Sequence, residues 1–507
     1  MAAASGVQSF NNGDKLESFF GRLNYSFADK YFLTSTIRRD GSSMFGENNK
    51  YATFPSFALA WKISNEEFMK KLEFISALKL RGSWGETGAQ NIQPFSNVSL
   101  AQWGNTIDFQ NNTTLLQTAT PSSRLPNADV KWETTVETNA GFDMGLFGNQ
   151  VNITFDWYNK KTKDLLLGNL PLPGYVGFSG PTVNLGTMEN KGLEFQVDVR
   201  DILKSSELKI DVGANISTNK NQVVDIGYFD KNFGQGGYIG TNNGRSYPGQ
   251  EWGVFYGYKF AGIFQSQQEI DDLNAAAKTR AAELGLNNSA SAVYQSALTK
   301  PGDRKYQDIN GTGNDGKIVY GVPDGKVDAS DVVDIGSPHP KFVYGLNTRF
   351  SYKGFDLSIL ASGVYGNKIY NRNLLNFSRL DFGVSEPANQ LASAYRNRWI
   401  DAEHPGDGKT PRITWTDQTG FNSQGSDLYI EDGSYFRIKT ITLGYNLPKN
   451  VISKFQISNL RVFATLTNFF TFTDYSWYDP DLGDTMIRQA EPLLLVLIMQ
   501  LIPAQKC

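Results

Sequence analysis

The sequence predicts an all-β protein: an antiparallel, transmembrane β-barrel of the outer-membrane type. Three observations predict it. Polar and apolar residues alternate strictly over long stretches. The alternating segments run to about ten residues or more, against roughly five or six for soluble strands. The links between them alternate between short and very long, as short turns on one rim and long loops on the other require. Composition agrees, since 49 of 507 residues are Gly and 13 % are aromatic, while only 20 % are charged.

Taken in order, the first segment is GRLNYSF, where Leu23, Tyr25 and Phe27 share one face and Arg22, Asn24 and Ser26 the other. LKLRGSW sets Leu78, Leu80 and Trp84 against Lys79, Arg81 and Ser83. VNITFDWY sets Val151, Ile153, Phe155 and Trp157 against Asn152, Thr154 and Asp156, and FVYGLNTRF opposes Phe342, Tyr344, Leu346 and Phe350 to Asn347 and Arg349. About twelve strands follow from this pattern: 18–27, 31–39, 56–63, 77–86, 132–145, 151–160, 190–200, 208–219, 342–352, 355–364, 434–446 and 459–468. Short links fall at 28–30, 64–76, 146–150, 201–207, 353–354 and 447–458, and the longest of the others at 220–341 and 365–433. Residues 251–264 also read as a strand. Counting them in the wall would put a long loop on the short-turn rim, so they belong inside one very long external loop with an Ala-rich helix over 268–286. A soluble sandwich alternates as well, so an all-β glycan-binding or adhesion protein with an apolar core is the competing architecture. No repeat of 20–50 residues is visible, which disfavours solenoids and propellers.

Charge and rare residues narrow the chemistry. Lys+Arg total 48 and Asp+Glu 51, a formal net charge of −3, which gives nucleic acid no basic surface. A single cysteine, Cys507, makes no internal disulfide, and His339 and His404 do not make a multi-histidine centre. The opening Met-Ala-Ala-Ala-Ser-Gly carries no export signal. The apolar run 493–502, LLLVLIMQLI, is about half the length of a spanning helix.

Two constellations are candidates for binding. In DINGTGNDGKIVYGVPDGKVDASD, Asp308 and Asn310 begin, and Asp324, Asp328 and Asp331 finish, an interrupted calcium-loop pattern whose ion would stiffen the loop. No other cofactor is required. Gly311 to Ile318 imitates a phosphate loop but lacks the hydroxyl residue after Lys317. Trp103, Tyr228, Tyr238, Tyr247 and Trp252 lie among Asn, Gln, Gly and charged residues in the long links. Rings in that setting pack on sugar C–H faces, so these five are the expected ligand-contact residues. No nucleophile, base and orienter come together: His339 lies in SPHP, His404 in AEHPGDG, and the Asp479/Asp481 pair in a proline turn. The chain reads as a non-enzyme.

Seven segments in order carry a further signal: 21–46, 80–92, 131–167 (KWETTVETNAGFDMGLFGNQVNITFDWYNKKTKDLLL), 184–195, 257–270, 337–360 and 466–483 (LTNFFTFTDYSWYDPDLG). Together they resemble the SusC/RagA family of TonB-linked (TonB-dependent) outer-membrane receptors. That resemblance implies a barrel of about 22 strands plugged from within, of which 1–483 would be the C-terminal part with about twelve strands and no plug domain. It implies import of glycans, or of peptides in some members, driven by the TonB system, with a SusD-like surface lipoprotein as lid. It places the protein among outer-membrane lipids of Bacteroidetes-type bacteria. Residues 484–507 lack both alternation and resemblance and read as a frame-shifted tail. A gene fragment without function is the remaining alternative.

Overall fold

A computed structural model describes residues 13–99, 101–107, 116–121, 124–168, 172, 174–203, 207–227, 233–235, 244–287, 289–381, 389–455, 457–481 and 495–503. One antiparallel sheet of 13 strands dominates it, with neighbours in chain order throughout. The strands are β1 (Leu16–Phe27), β2 (Tyr31–Ser42), β3 (Tyr51–Lys62), β4 (Ile75–Ala89), β5 (Glu133–Leu146), β6 (Val151–Lys163) and β7 (Thr187–Val199). They continue with β8 (Leu208–Asp225), β9 (Phe342–Tyr352), β10 (Phe355–Tyr365), β11 (Tyr435–Asn446), β12 (Ile457–Thr473) and β13 (Leu495–Pro503). The sheet is open: β1 and β13 each pair on one side only among the described residues.

The twelve expected strands are β1 to β12, and one more edge strand, β13, joins them. The expected tail contributes a wall strand, with Leu466 opposite Leu495 and Ile457 opposite Pro503. Ladder hydrogen bonds come from the backbone, so a segment without alternation can still pair at an edge.

Register shows why the alternation matters. One ladder row passes through twelve strands as Phe27, Tyr31, Trp61, Leu80, Phe142, Phe155, Phe195, Ile216, Tyr344, Gly363, Phe436 and Phe472. No polar side chain other than the two tyrosines interrupts it. Rings on the row touch, with Tyr31–Trp61 centroids 6.3 Å apart and Phe142–Phe155 5.7 Å. At Gly363 the Tyr344 ring reaches past the missing side chain to Phe436, 6.2 Å away and parallel. This face is not buried by protein: Tyr25 is 56 % and Leu59 63 % exposed. An apolar surface of this extent calls for lipid, and β1 to β12, 11–18 residues each, are long enough to cross it. Among the described residues no helix is long and apolar enough to cross a membrane.

The short rim is built from tight turns. Lys353 (φ 45°) and Gly354 (φ 90°) form a two-residue hairpin loop whose left-handed backbone matches the strand twist. The opposite rim carries everything long, including 226–341 between β8 and β9 and 366–434 between β10 and β11. As the parity argument requires, residues 251–264 supply two short loop strands, Val254–Gly257 and Phe260–Ile263, outside the wall. The Ala-rich stretch is helix α1 (Gln267–Glu283), capped by Ser266 Oγ, which accepts from Glu269 N at 3.2 Å.

Candidate functional site

On the face opposite the apolar row, polar side chains form a wall. Arg81 on β4 donates to Asp143 on β5 at 2.9 and 3.1 Å, and to Asp156 on β6 at 3.0 and 3.0 Å. Reaching Asp156 means crossing β5, and Gly141 is the residue crossed: a Cβ there would lie 2.5 Å from Asp156 Oδ1. A similar crossing recurs six strands later. Arg461 on β12 crosses β11 at Gly444 to reach Asp356 on β10, at 3.1 and 2.5 Å. Two guanidinium forks thus each span three strands, Arg81 holding two carboxylates and Arg461 one against the wall. Between them, Asp198, Asp211, Asn347, Arg349 and Ser358 line a recess of about 490 Å³. Such a wall offers hydrogen bonds and both signs of charge to a polar solute, or to protein inserted against it.

Above the wall the two longest loops interlock. Tyr258, Tyr306 and Val327 are buried with Phe260, Tyr294, Val332 and Phe421 packed around them. Tyr258–Tyr306 centroids are 5.2 Å apart, and Phe421, contributed by the second loop, stands 5.9 Å from Tyr258. Burial in this cluster pushes the Tyr306 hydroxyl pKa far up. Arg304 is 1 % exposed. Its Nη1 donates to the Asn422 carbonyl and its Nε to the Lys409 carbonyl at 3.3 Å, while its guanidinium covers the Tyr429 ring at 5.4 Å. The adjacent Asp303 is fully buried and accepts from Arg412 Nε at 2.9 Å and Asn422 Nδ2 at 3.0 Å. A charged residue this deep is tolerable only when its polar atoms are matched: Lys300 N, in the same loop, donates to Asp303 Oδ2 at 2.9 Å, and the other matching groups come from the second loop. The pair of loops is one packed module. None of Arg81, Asp143, Asp156, Arg304, Asp303 or Arg412 belongs to a sequence motif; the nearest available signal was the polar half of each strand alternation.

The expected calcium residues are brought together. Asp331 Oδ1 accepts from the amides of Ile309 (2.7 Å) and Asn310 (2.9 Å), and Oδ2 from Asp328 N (2.8 Å). Asp324 accepts from Thr312 N and Lys326 N at 2.9 Å each. Asp328 caps the following turn through Ser330 N at 2.9 Å, and Asn310 Oδ1 accepts from Gly321 N at 2.8 Å. Asp308 Oδ2 takes Gly325 N at 2.6 Å, but its Oδ1 is buried without a partner. Burial, then the neighbouring Asp331 and Asp324 carboxylates, raise the Asp308 pKa to about 6. Among the described residues no group of three or more His, Cys, Asp or Glu side chains is arranged to hold a metal ion.

Of the expected ligand-contact residues, Tyr247 and Trp252 share one half-buried turn at the base of the module. Tyr247 packs on Tyr256 at 5.1 Å, and Trp252 is fixed through its backbone, N to Asn221 Oδ1 at 2.8 Å and O to His339 Nε2 at 2.7 Å. His339 is therefore a loop tie. Trp103 falls on a hairpin strand, Ala101–Ile107, but its side chain lies outside the described residues, as do Tyr228 and Tyr238 altogether. Asp479 and Asp481 are not a catalytic pair, because both hold Arg437, Asp481 at 3.6 Å.

Comparison with known proteins agrees with this geometry. Residues 2–337 match the family model described as TonB dependent receptor-like, beta-barrel. A TonB-dependent receptor of Formosa agariphila is 33 % identical over 476 residues, 93 % of this chain and 43 % of that protein. TonB-dependent receptor SusC of Bacteroides thetaiotaomicron is 29 % identical over 498 residues, 96 % and 43 % respectively. The structure of the RagAB peptide transporter superposes with a TM-score of 0.72 at 22 % identity, covering 93 % of this chain and 45 % of that one. The chain spans less than half the length of these relatives. With its lipid-facing aromatic row, polar wall and outer loop module, the chain belongs to the TonB-dependent receptor β-barrel family of outer-membrane transporters and is SusC-like within it.

Proposed function

We propose that the chain supplies wall and external loops to a TonB-driven outer-membrane importer of oligosaccharides or peptides, working beneath a SusD-like surface lipoprotein. The observation that carries this reading is the interlocked loop module seated on the long-loop rim of a polar wall. A packed module with a buried Arg304 and Asp303 is a shaped surface, which capture of a specific ligand requires and a solvated loop does not provide. A solved structure named as a peptide transporter supports the peptide class, and the oligosaccharide class rests on the resemblance to the SusC/RagA family. The Tyr247/Trp252 turn is the proposed contact surface, and no ion is needed to hold the loop that contains Asp308, Asn310, Asp324, Asp328 and Asp331. The test is deletion of the gene in its own host, followed by growth on defined oligosaccharide or peptide mixtures as sole carbon or nitrogen source. Loss of growth on one class, restored by the gene but not by a copy carrying Trp252→Ala and Tyr247→Ala, is expected. Unchanged growth on every mixture would leave an adhesion or binding role in its place.

A further inference from the structure

The apolar jacket stops abruptly at the outer ends of β6, β7 and β8. On the outward face β6 climbs through Val151, Ile153, Phe155 and Trp157 to Asn159, Lys161 and Lys163. Register sets Trp157 opposite Leu193 and Leu193 opposite Thr218, so these residues top the jacket. The next row outward is Asn159, Lys191 and Lys220, and the one beyond pairs Lys161 with Glu189. Lys161, Lys163, Lys191 and Lys220 are all exposed. Four ammonium groups therefore stand just above the lipid-facing rings on three adjacent strands. Lys191 and Lys220 are directly opposed, an arrangement that destabilises a sheet unless something negative lies between them. One carboxylate answers: Glu189 Oε2 is 2.9 Å from Lys191 Nζ. The remaining lysines have no carboxylate in ion-pair range among the described residues. Elsewhere at this rim Arg39 and Lys50 lie over the Tyr51 ring, at 5.0 and 5.7 Å.

We propose that this patch binds the phosphate of an anionic glycolipid in the outer leaflet. The lysine stems lie along the upper edge of the jacket and their heads reach the headgroup level, where each cation near an anionic surface strengthens binding about five-fold. The proposal rests on the apolar face being covered by lipid, and goes beyond it in naming a headgroup and a position.

The test is native mass spectrometry of the chain in detergent micelles, titrated with diphosphoryl lipid A and with the same lipid lacking phosphate. Wild type is expected to retain the phosphorylated lipid and to release the other. The combined variant Lys161→Gln, Lys163→Gln, Lys191→Gln and Lys220→Gln should weaken retention at least a hundred-fold, on about five-fold per lysine. Glu189→Gln should tighten it, and Lys353→Gln on the opposite rim should change nothing. Equal retention of both lipids, or of lipid A by wild type and the fourfold variant, overturns the proposal. So does a variant that keeps lipid A but loses an acidic protein partner on purification, since the patch would then be a protein interface. Heat-modifiable gel mobility with and without detergent reads the lipid-covered face separately: a chain that folds only in detergent yet ignores phosphate refutes the patch alone.

Discussion

An arginine scan along β6 tests the facing assignment directly, because its residues alternate between lipid and the polar wall. At about 3.4 Å per residue and a tilt near 40°, each two-residue step moves roughly 5 Å along the membrane normal. Trp157 marks the top of the jacket, so Phe155 lies roughly 5 Å and Ile153 roughly 10 Å below it, in a band about 25 Å tall. An arginine costs about 2–4 kcal/mol near the midplane and about 0–1 at the interface. Ile153→Arg is therefore expected near 3 kcal/mol, Phe155→Arg near 2 and Trp157→Arg below 1, all about, with up to about 1 more at Phe155 for its lost contact with Phe142. Thr154→Arg, one residue away, loses only a long hydrogen bond to Asp143 at 3.4 Å and brings its cation beside that carboxylate. Its cost should stay under about 1 kcal/mol. The assay is urea titration of the chain folded into lipid vesicles, followed by tryptophan fluorescence and by gel mobility. A saw-tooth with period two is expected. Penalties that vary smoothly along the strand, or Thr154→Arg as costly as Ile153→Arg, refute the assignment of faces.

Gly141→Val should drive the Arg81 fork off Asp156 and cost about 1–3 kcal/mol as overpacking, with a sub-additive effect when combined with Asp156→Asn in the same urea assay. Arg304→Met removes the donor to two carbonyls of the second loop, each worth about 1–3 kcal/mol when left unmatched. Limited proteolysis should then open 226–341 and 366–434 together, and opening of the first loop alone would contradict a single module. The Asp308 carboxyl pKa is raised, so its contribution to loop stability is full below about pH 3.8 and is lost as pH rises through about 6. Asp308→Asn should accordingly increase protease resistance at pH 7.5 and make no difference at pH 4; a gain at both would point to shape and not charge. Millimolar calcium should leave the digestion pattern of wild type unchanged, because backbone amides already occupy the Asp324 and Asp331 oxygens; protection by calcium would place an ion there.

The strands were legible because one face of each is a single chemical class, and a period-two signal survives in a lone sequence whenever the two faces meet different solvents. Residues 251–264 and the helix were legible for a second reason: the alternation of short and long links fixes parity, and parity assigns a strand-like segment to a loop. The site yielded less. Arg304 and Asn422 are 118 residues apart, and nothing in GDRKY or FNSQG announces that one is the other's partner. The polar forks were half visible, since Arg81 and Asp156 were on the polar side of their strands, but the pairing depends on register and on Gly141 being crossed. Asp479 and Asp481 read from sequence as a proline-turn pair and no catalytic one, and the structure gives them a partner the sequence did not name, Arg437.

That contrast says where specificity resides in this protein. The lipid-facing row tolerates any large apolar side chain, because a bilayer has no shape to match, and its information content is correspondingly low. The loop module tolerates few exchanges, because Arg304 and Asp303 are buried charges matched in large part by groups on a different loop. Relatives that import different ligands are then expected to keep the alternation of the wall and to change the loops in coupled sets. Grafting 226–341 from such a relative should fail to fold unless 366–434 is moved with it, and proteolysis of the single and double grafts measures that coupling.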